Sequence, residues 1–169
     1  MTDLPTVPAL LDQLEQALRQ YLEARNIHQP LMVGIRTGGV WIASELHRRL
    51  GLTEPWGELD ISFYRDDFSR IGLNPRVTPS HLPFDTENRD LVLVDDVIMS
   101  GRTIRAAMNE LFDYGRPSTI TLAALLDMGG RELPIQPDVC GDRLSLLPTQ
   151  RVKLRGPDPL VIELREVKA

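Results

Sequence analysis

Leu11, Leu14, Leu18 and Leu22 recur at helical spacing, with Asp12, Glu15, Arg19 and Glu23 between them. That stripe predicts an amphipathic helix over residues 8–25, with Pro8 in its first turn and Asn26 marking its end. Leu31-Met32-Val33-Gly34-Ile35 then reads as a short buried strand, broken at Arg36-Thr37-Gly38-Gly39. A second helix is expected over 40–50, closed by Gly51. Leu59, Ile61 and Phe63 alternate with Asp60, Ser62 and Tyr64, a strand pattern. From Arg65 to Arg89 no period emerges, and Pro75, Pro79 and Pro83 interrupt the segment. An aperiodic stretch of that length inside a compact domain is a lid, a binding loop or disorder.

The clearest unit follows. Leu91-Val92-Leu93-Val94 is an unbroken apolar run, the mark of a strand covered on both faces. Asp95-Asp96 and then Ser100-Gly101-Arg102-Thr103 lead into a helical face of Ile104, Ala107, Met108 and Leu111, ending at Gly115 and Pro117. Thr119 to Leu126 is another apolar strand, ending at Asp127. Strand–loop–helix–strand units of this kind predict an α/β fold, a mainly parallel sheet flanked by helices. Beyond Gly129 the chain becomes more β-like, with strict alternation at Arg151-Val152-Lys153-Leu154-Arg155 and a last strand near Val161-Ile162-Glu163-Leu164.

Ligands of open parallel sheets sit beyond the C-terminal ends of the strands, where both sharp loops lie. Ionised Asp95 and Asp96 only accept hydrogen bonds, which suits the paired hydroxyls of a vicinal diol. Ser100, Gly101, Arg102 and Thr103 combine a helix N-terminus, two hydroxyls, a guanidinium and a glycine that permits close approach. Together they make an anion pocket fit for a phosphate. A diol clamp beside a phosphate cradle describes a ribose 5-phosphate. At the other loop, Arg36 and the Gly38-Gly39 pair suit a second anion such as pyrophosphate. Plain helix capping and a plain turn are the alternatives for either loop taken alone. Neither G-x-x-x-x-G-K-[ST] nor a G-x-G-x-x-G after a strand occurs.

Composition narrows the class further. With 169 residues, 42% of them hydrophobic and 25% charged, the chain is sized for one globular domain, residues 1–169. No apolar run approaches the ~20 residues that cross a bilayer, so no membrane role is expected. The N-terminus lacks a secretory pattern. A single cysteine forbids an internal disulfide and suits a cytoplasmic protein. Three scattered histidines and one cysteine do not supply a zinc site, and no protein-held metal is expected. A net charge of −5 leaves room only for a local basic face.

Val92-Leu93-Val94-Asp95-Asp96-Val97-Ile98-Met99-Ser100-Gly101-Arg102-Thr103 resembles the phosphoribosyl-pyrophosphate motif of type I phosphoribosyltransferases. The strings Val33 to Gly39, Asp60 to Asp67, Arg105 to Met108, Gly115 to Ser118 and Arg131-Glu132-Leu133-Pro134-Ile135 stand in the order of one branch. That branch is the bifunctional pyrimidine-operon regulator and uracil phosphoribosyltransferase. The resemblance implies a parallel sheet with a small hood and a flexible active-site loop, here about residues 66–89 with Arg65 and Asp66 at its root. It implies conversion of uracil and phosphoribosyl pyrophosphate to UMP and pyrophosphate with Mg2+. It also implies UMP-dependent binding of a pyrimidine-operon leader RNA, and assembly as a dimer or larger homo-oligomer. By position, Asp95 and Asp96 accept from the ribose hydroxyls, and Val97, Ile98, Met99 and Ser100 to Thr103 form the 5′-phosphate loop. Arg36, Thr37 and Gly38 take the pyrophosphate, and the backbone near Asp127 and Met128 faces uracil. Asp95, Asp96 and Arg36 are the catalytic candidates. The alternative is a regulator that senses UMP with little or no catalysis.

Two positions depart from the branch. Where relatives carry an arginine and, two residues on, a histidine, this chain has Met128 and Gly130. The first helix offers Gln16, Ala17 and Gln20 where relatives place basic residues. The stretch holding Arg143, Arg151, Lys153 and Arg155 is the better candidate for RNA phosphates, since the last three share one strand face. The alternative there is a solvated edge strand protected by charge. His28, His47 and His81 are expected at the surface and Cys140 as small apolar filler.

Overall fold

The computed structural model describes residues 4–61 and 80–167. α1 (Val7–Ala24) buries Leu10, Leu11, Leu14, Leu18 and Leu22, and the Thr6 hydroxyl caps it by accepting from Ala9 N at 3.3 Å. Asn26, with φ +57°, turns the chain out of it. β1 (Leu31–Ile35) is buried throughout and feeds α2 (Gly38–Leu50). That helix begins two residues earlier than its hydrophobic period suggests, because both glycines lie within its first turn, packed against the sheet. It closes at Gly51, whose φ of +64° is the left-handed conformation expected at a helix end.

β2 (Gly57–Leu59) is shorter and earlier than the alternation around Ile61 predicts. Ile61 is buried but lies outside the strand, and Ser62 to Tyr64 fall outside the described residues. β3 (Asp90–Ile98) leads through α3 (Arg102–Tyr114) to β4 (Thr119–Asp127), and β5 (Val139–Arg143) completes the sheet. The strand order is β2-β1-β3-β4-β5, and every pairing is parallel. A separate antiparallel hairpin of β6 (Gln150–Arg155) and β7 (Val161–Glu166) forms the hood.

Two apolar layers cover the sheet. Leucines of α1 and α2 pack with Met32, Val92, Val94 and Leu125 on one face. Ile104, Ala107 and Leu111 of α3 pack with Leu31, Val33, Leu91 and Leu93 on the other. Complete burial of side chains such as Leu14 and Leu93 stabilises by about 1.5–3 kcal/mol each. The chain leaves β1 toward β2 on one side, and β3 lies on the other. The crevice between the C-terminal ends of β1 and β3 is therefore the topological switch point, where open α/β sheets bind ligands.

The loop expected over 66–89 is tied down at its far end. Residues 66–79, with Arg65 before them, fall outside the described residues. From Ser80 onward the chain is anchored: His81 and Glu58 exchange both backbone hydrogen bonds at 2.8 Å, Leu82 and Phe84 pack on the core, and Thr86 is buried. Leu82 and Phe84 supply the apolar contact that an aperiodic sequence conceals.

Candidate active site

β3 does not end at Val94. It stays paired with β4 as far as Val97↔Leu126 and Ile98↔Asp127, so Asp95 and Asp96 lie within the strand rather than in a loop after it. The continuous apolar run of β4 carries the ladder past the polar pair. Asp95 is buried and lines a cavity of about 260 Å³ together with Val97, Ile98, Met99, Ser100, Gly101, Thr103 and Ile104. Asp96 is half-buried and lies against Gly38. A Cβ on that glycine would sit 2.1 Å from Asp96 Oδ2, so only glycine fits there. Each acid also accepts the next residue's backbone N–H at 2.8 Å, which fixes its rotamer.

The turn beyond the acids leads straight into a helix N-terminus. Gly101 has φ +94°, a conformation costly for any residue with a Cβ, and α3 starts immediately after it. First-turn N–H groups of a helix have no carbonyl partner within the helix, and the helix dipole favours negative charge there. Ser100 Oγ accepts from Arg102 N at 3.2 Å. The Arg102 guanidinium is engaged elsewhere: it is largely exposed and donates to Glu132 Oε2 at 2.8 Å. Behind the cradle, Glu132 N and Leu133 N both donate to Ser100 O, at 2.9 and 3.2 Å.

The β1 turn faces the same crevice. Gly39 packs on the Val94 carbonyl, where a Cβ would approach to 2.6 Å. Thr37 is exposed, and the Arg36–Thr37 peptide is cis. Arg36 is held by acids that sequence reading did not connect with it. It contacts Glu58 Oε2 at 3.0 Å and Asp60 Oδ2 at 3.7 Å, while its N–H donates to Leu59 O. The signal was available in the alternation of Glu58 and Asp60 around Leu59, but only parallel pairing of β1 with β2 places them beside Arg36.

On the hood side, Asp127 is buried, and its carboxylate is committed within the protein: Oδ1 accepts Gly129 N at 3.0 Å, and Oδ2 binds Arg131 at 2.7 Å. Met128 N donates to Ile98 O at 2.9 Å, and Asp127 O accepts Leu144 N at 3.0 Å. Met128 and Arg151 line a second cavity of about 150 Å³, which reaches Met99 of the cradle and Leu147 of the hood. Arg143 lines a third, of about 310 Å³, with Asp127 and Arg131. Gly130, standing where relatives have histidine, takes φ +76° beside Gly129 at +72°. Arg151, Lys153 and Arg155 do share the exposed face of β6, opposite Arg165, Glu163 and Val161 of β7. Arg155 pairs with Glu163. Cys140 lies in β5, and His47 is tethered to Glu54 O at 2.6 Å beside Trp56. Among the described residues no helix is long and apolar enough to cross a membrane.

Comparison with known proteins agrees with this geometry. A phosphoribosyl transferase domain model matches residues 2–145. Bifunctional protein PyrR of Pseudomonas putida (strain GB-1) is 57% identical over 164 residues, 97% of this chain and 95% of that protein. The same-named protein of Pseudomonas aeruginosa (strain LESB58) is 59% identical over 160 residues, covering 95% and 94%. Among solved structures, a hypoxanthine-guanine phosphoribosyltransferase from Bacillus anthracis shares the fold, with a TM-score of 0.68 at 16% identity over 85% of this chain and 84% of that one. A purine phosphoribosyltransferase from Pyrococcus horikoshii matches with a TM-score of 0.60 at 27% identity, over 80% and 83%. The chain belongs to the phosphoribosyl transferase family and, within it, to the bifunctional PyrR proteins.

Proposed function

We propose that this protein is a cytoplasmic uracil phosphoribosyltransferase that makes UMP and pyrophosphate, and that it also regulates pyrimidine-operon expression by binding leader RNA in response to UMP. The observation that carries the enzymatic reading is a single cavity at the end of β3 lined by Asp95 together with Ser100, Gly101 and Thr103. A ribose 5-phosphate offers hydroxyls to such a carboxylate and a phosphate to such hydroxyls and N–H groups.

In this reading Asp95 and Asp96 accept from the two ribose hydroxyls, and the backbone from Val97 to Thr103 encloses the 5′-phosphate. The Arg36–Gly38 turn receives the pyrophosphate. As the bond from the anomeric carbon to pyrophosphate lengthens, positive charge grows on the sugar and negative charge on the leaving group. The protein contributes orientation and fixed dipoles rather than a nucleophile. Mg2+ enters with phosphoribosyl pyrophosphate. Magnesium is commonly held by one or two carboxylates together with substrate phosphates, and Asp95 and Asp96 are the carboxylates beside this cavity. Uracil belongs beside Met99, Met128 and the hood, where the second cavity opens from the first. Residues 1–169 act as one domain, since Val152, Leu154, Leu160 and Ile162 of the hood join the main core. A homo-oligomer is supported by the exposed Phe112 and Tyr114 of α3.

For RNA, the supporting feature is the cationic face of the hairpin, to which Arg151, Lys153, Arg155 and Arg165 contribute and only Glu163 opposes. Pyrophosphate release from phosphoribosyl pyrophosphate, magnesium and each of uracil, orotate, adenine and hypoxanthine tests the enzyme, and release is expected with uracil alone. Gel shifts with the operon leader, with and without UMP, test the regulator. Met128 and Gly130, standing where relatives carry an arginine and a histidine, favour a second reading, a UMP sensor without turnover. It predicts UMP-dependent shifts and no pyrophosphate.

A further inference from the structure

We infer that Arg131 is the positioning residue of the phosphate cradle. Resting on the reading above, this assigns a role to a side chain that does not itself line the Asp95 cavity but holds Met99, which does. The Arg131 side chain is 13% exposed. Its guanidinium ties its own turn to the residue before the cradle: Nη1 donates to Met99 O at 2.8 Å, while Nε donates to Ile135 O at 2.6 Å and Nη2 to Asp127 Oδ2 at 2.7 Å and Gln136 Oε1 at 3.1 Å. Met99 O belongs to the residue that opens the cradle, and Asp127 is the last residue of β4, paired with Ile98.

The need for such a brace is visible in the backbone. Gly129 and Gly130 both take left-handed φ values, and nothing lies within 4 Å of where their Cβ atoms would be. No side chain of the turn itself holds the 131–136 segment against the sheet. That segment carries the two N–H groups that grip Ser100 O, and Leu133 and Ile135 lie 3.6 and 3.4 Å from where a Gly101 Cβ would be. Arg131 pins it through a planar fork that reaches several acceptors at once. Lysine, with its compact ammonium on a flexible stem, cannot reproduce that. Fixing the Met99 and Ser100 carbonyls fixes the peptide planes between them, and hence the direction of the N–H groups offered to a phosphate. Arg131 thereby acts chiefly on affinity at the phosphate end, and less on the base end, where it touches Asp127 and Met99 only at groups turned toward itself.

The test compares wild type, Arg131→Lys and Arg131→Met by steady-state kinetics in both substrates and by calorimetric titration of UMP. We expect KM for phosphoribosyl pyrophosphate and Kd for UMP to rise about tenfold or more in Arg131→Met, in keeping with the ~10²-fold that a 1 Å misplacement can cost. KM for uracil should rise by clearly less than KM for phosphoribosyl pyrophosphate, a split that a loss of folded protein does not produce. Arg131→Lys, which keeps charge and bulk, should show the same split at a smaller amplitude if Arg131→Met fails to fold. Millimolar guanidinium should restore part of the UMP affinity of Arg131→Ala. Variants equal to wild type in both constants, or raised equally in both KM values, overturn the inference while the enzymatic reading stands. A wild-type protein that neither turns over nor binds UMP overturns the reading itself, and the inference with it.

Discussion

The turn after β3 presents backbone donors and keeps its nearby cations occupied on protein acceptors, Arg102 on Glu132 and Arg131 on Asp127 and Met99. The turn after β1 rests on a cation, Arg36, which Glu58 and Asp60 hold. On the proposed reading, a phosphate meets donors at the first turn, whereas a pyrophosphate at the second must compete with Glu58 and Asp60 for Arg36. A nucleoside monophosphate, which on that reading uses only the first turn, then avoids a cost that the pyrophosphate-bearing substrate meets.

The largest effect should come from joining the two turns badly. Gly38→Ala places a methyl on the Asp96 carboxylate, and turnover should fall by about 10²-fold or more, the scale of a misplaced reacting group. UMP affinity, measured by calorimetry, should fall with it. Next comes the acid itself: Asp95→Asn turns one acceptor oxygen into a donor facing the sugar, and should weaken UMP by roughly 1.5–3 kcal/mol, the worth of a hydrogen bond to a charged group. Glu58→Gln sharpens the comparison from the other side. It relaxes the hold on Arg36, so KM for phosphoribosyl pyrophosphate should drop about two- to fivefold, the reach of a ~0.5–1 kcal/mol partly exposed ion pair, with UMP affinity unchanged.

The smallest effect lies away from both turns. Arg49 links α2 to α1 through Asp12, Glu15 and Glu45. Hydrogen bonds from Arg19 to Glu15 and from Arg48 to Glu45, with Arg49 adding to both, hold those two carboxyls below their ordinary values. Carboxyls with a depressed folded-state pKa stabilise above the unfolded pKa, and that stability is lost as pH falls through the folded one. Arg49→Met should therefore cost at most about 1 kcal/mol by urea denaturation at neutral pH, shrinking below the carboxylate range, with activity intact.

Much of this arrangement could be read from the chain. β1, α2 and α3 announce themselves by apolar runs and helical faces that glycines punctuate, and Asp95, Ser100, Gly101 and Thr103, singled out in the sequence, line one cavity. What escaped depends on partners distant in sequence. The reach of β3 to Ile98 is dictated by β4, not by its own polar pair. β5 has little hydrophobic pattern because Gly141 makes room for α1. A Cβ there would meet Leu10 O at 3.0 Å and Leu125 O at 2.5 Å. Arg131 was visible only as part of a family string, since its four acceptors come together through the fold alone.

A crystal structure with UMP bound tests the central claim most directly. The account predicts both ribose hydroxyls within hydrogen-bond distance of the Asp95 and Asp96 carboxylates, and the phosphate against the first N–H groups of α3, with the Arg131 contacts unchanged. A nucleotide lodged elsewhere, or those two acids drawn into ion pairs while the cradle holds no phosphate, would contradict it.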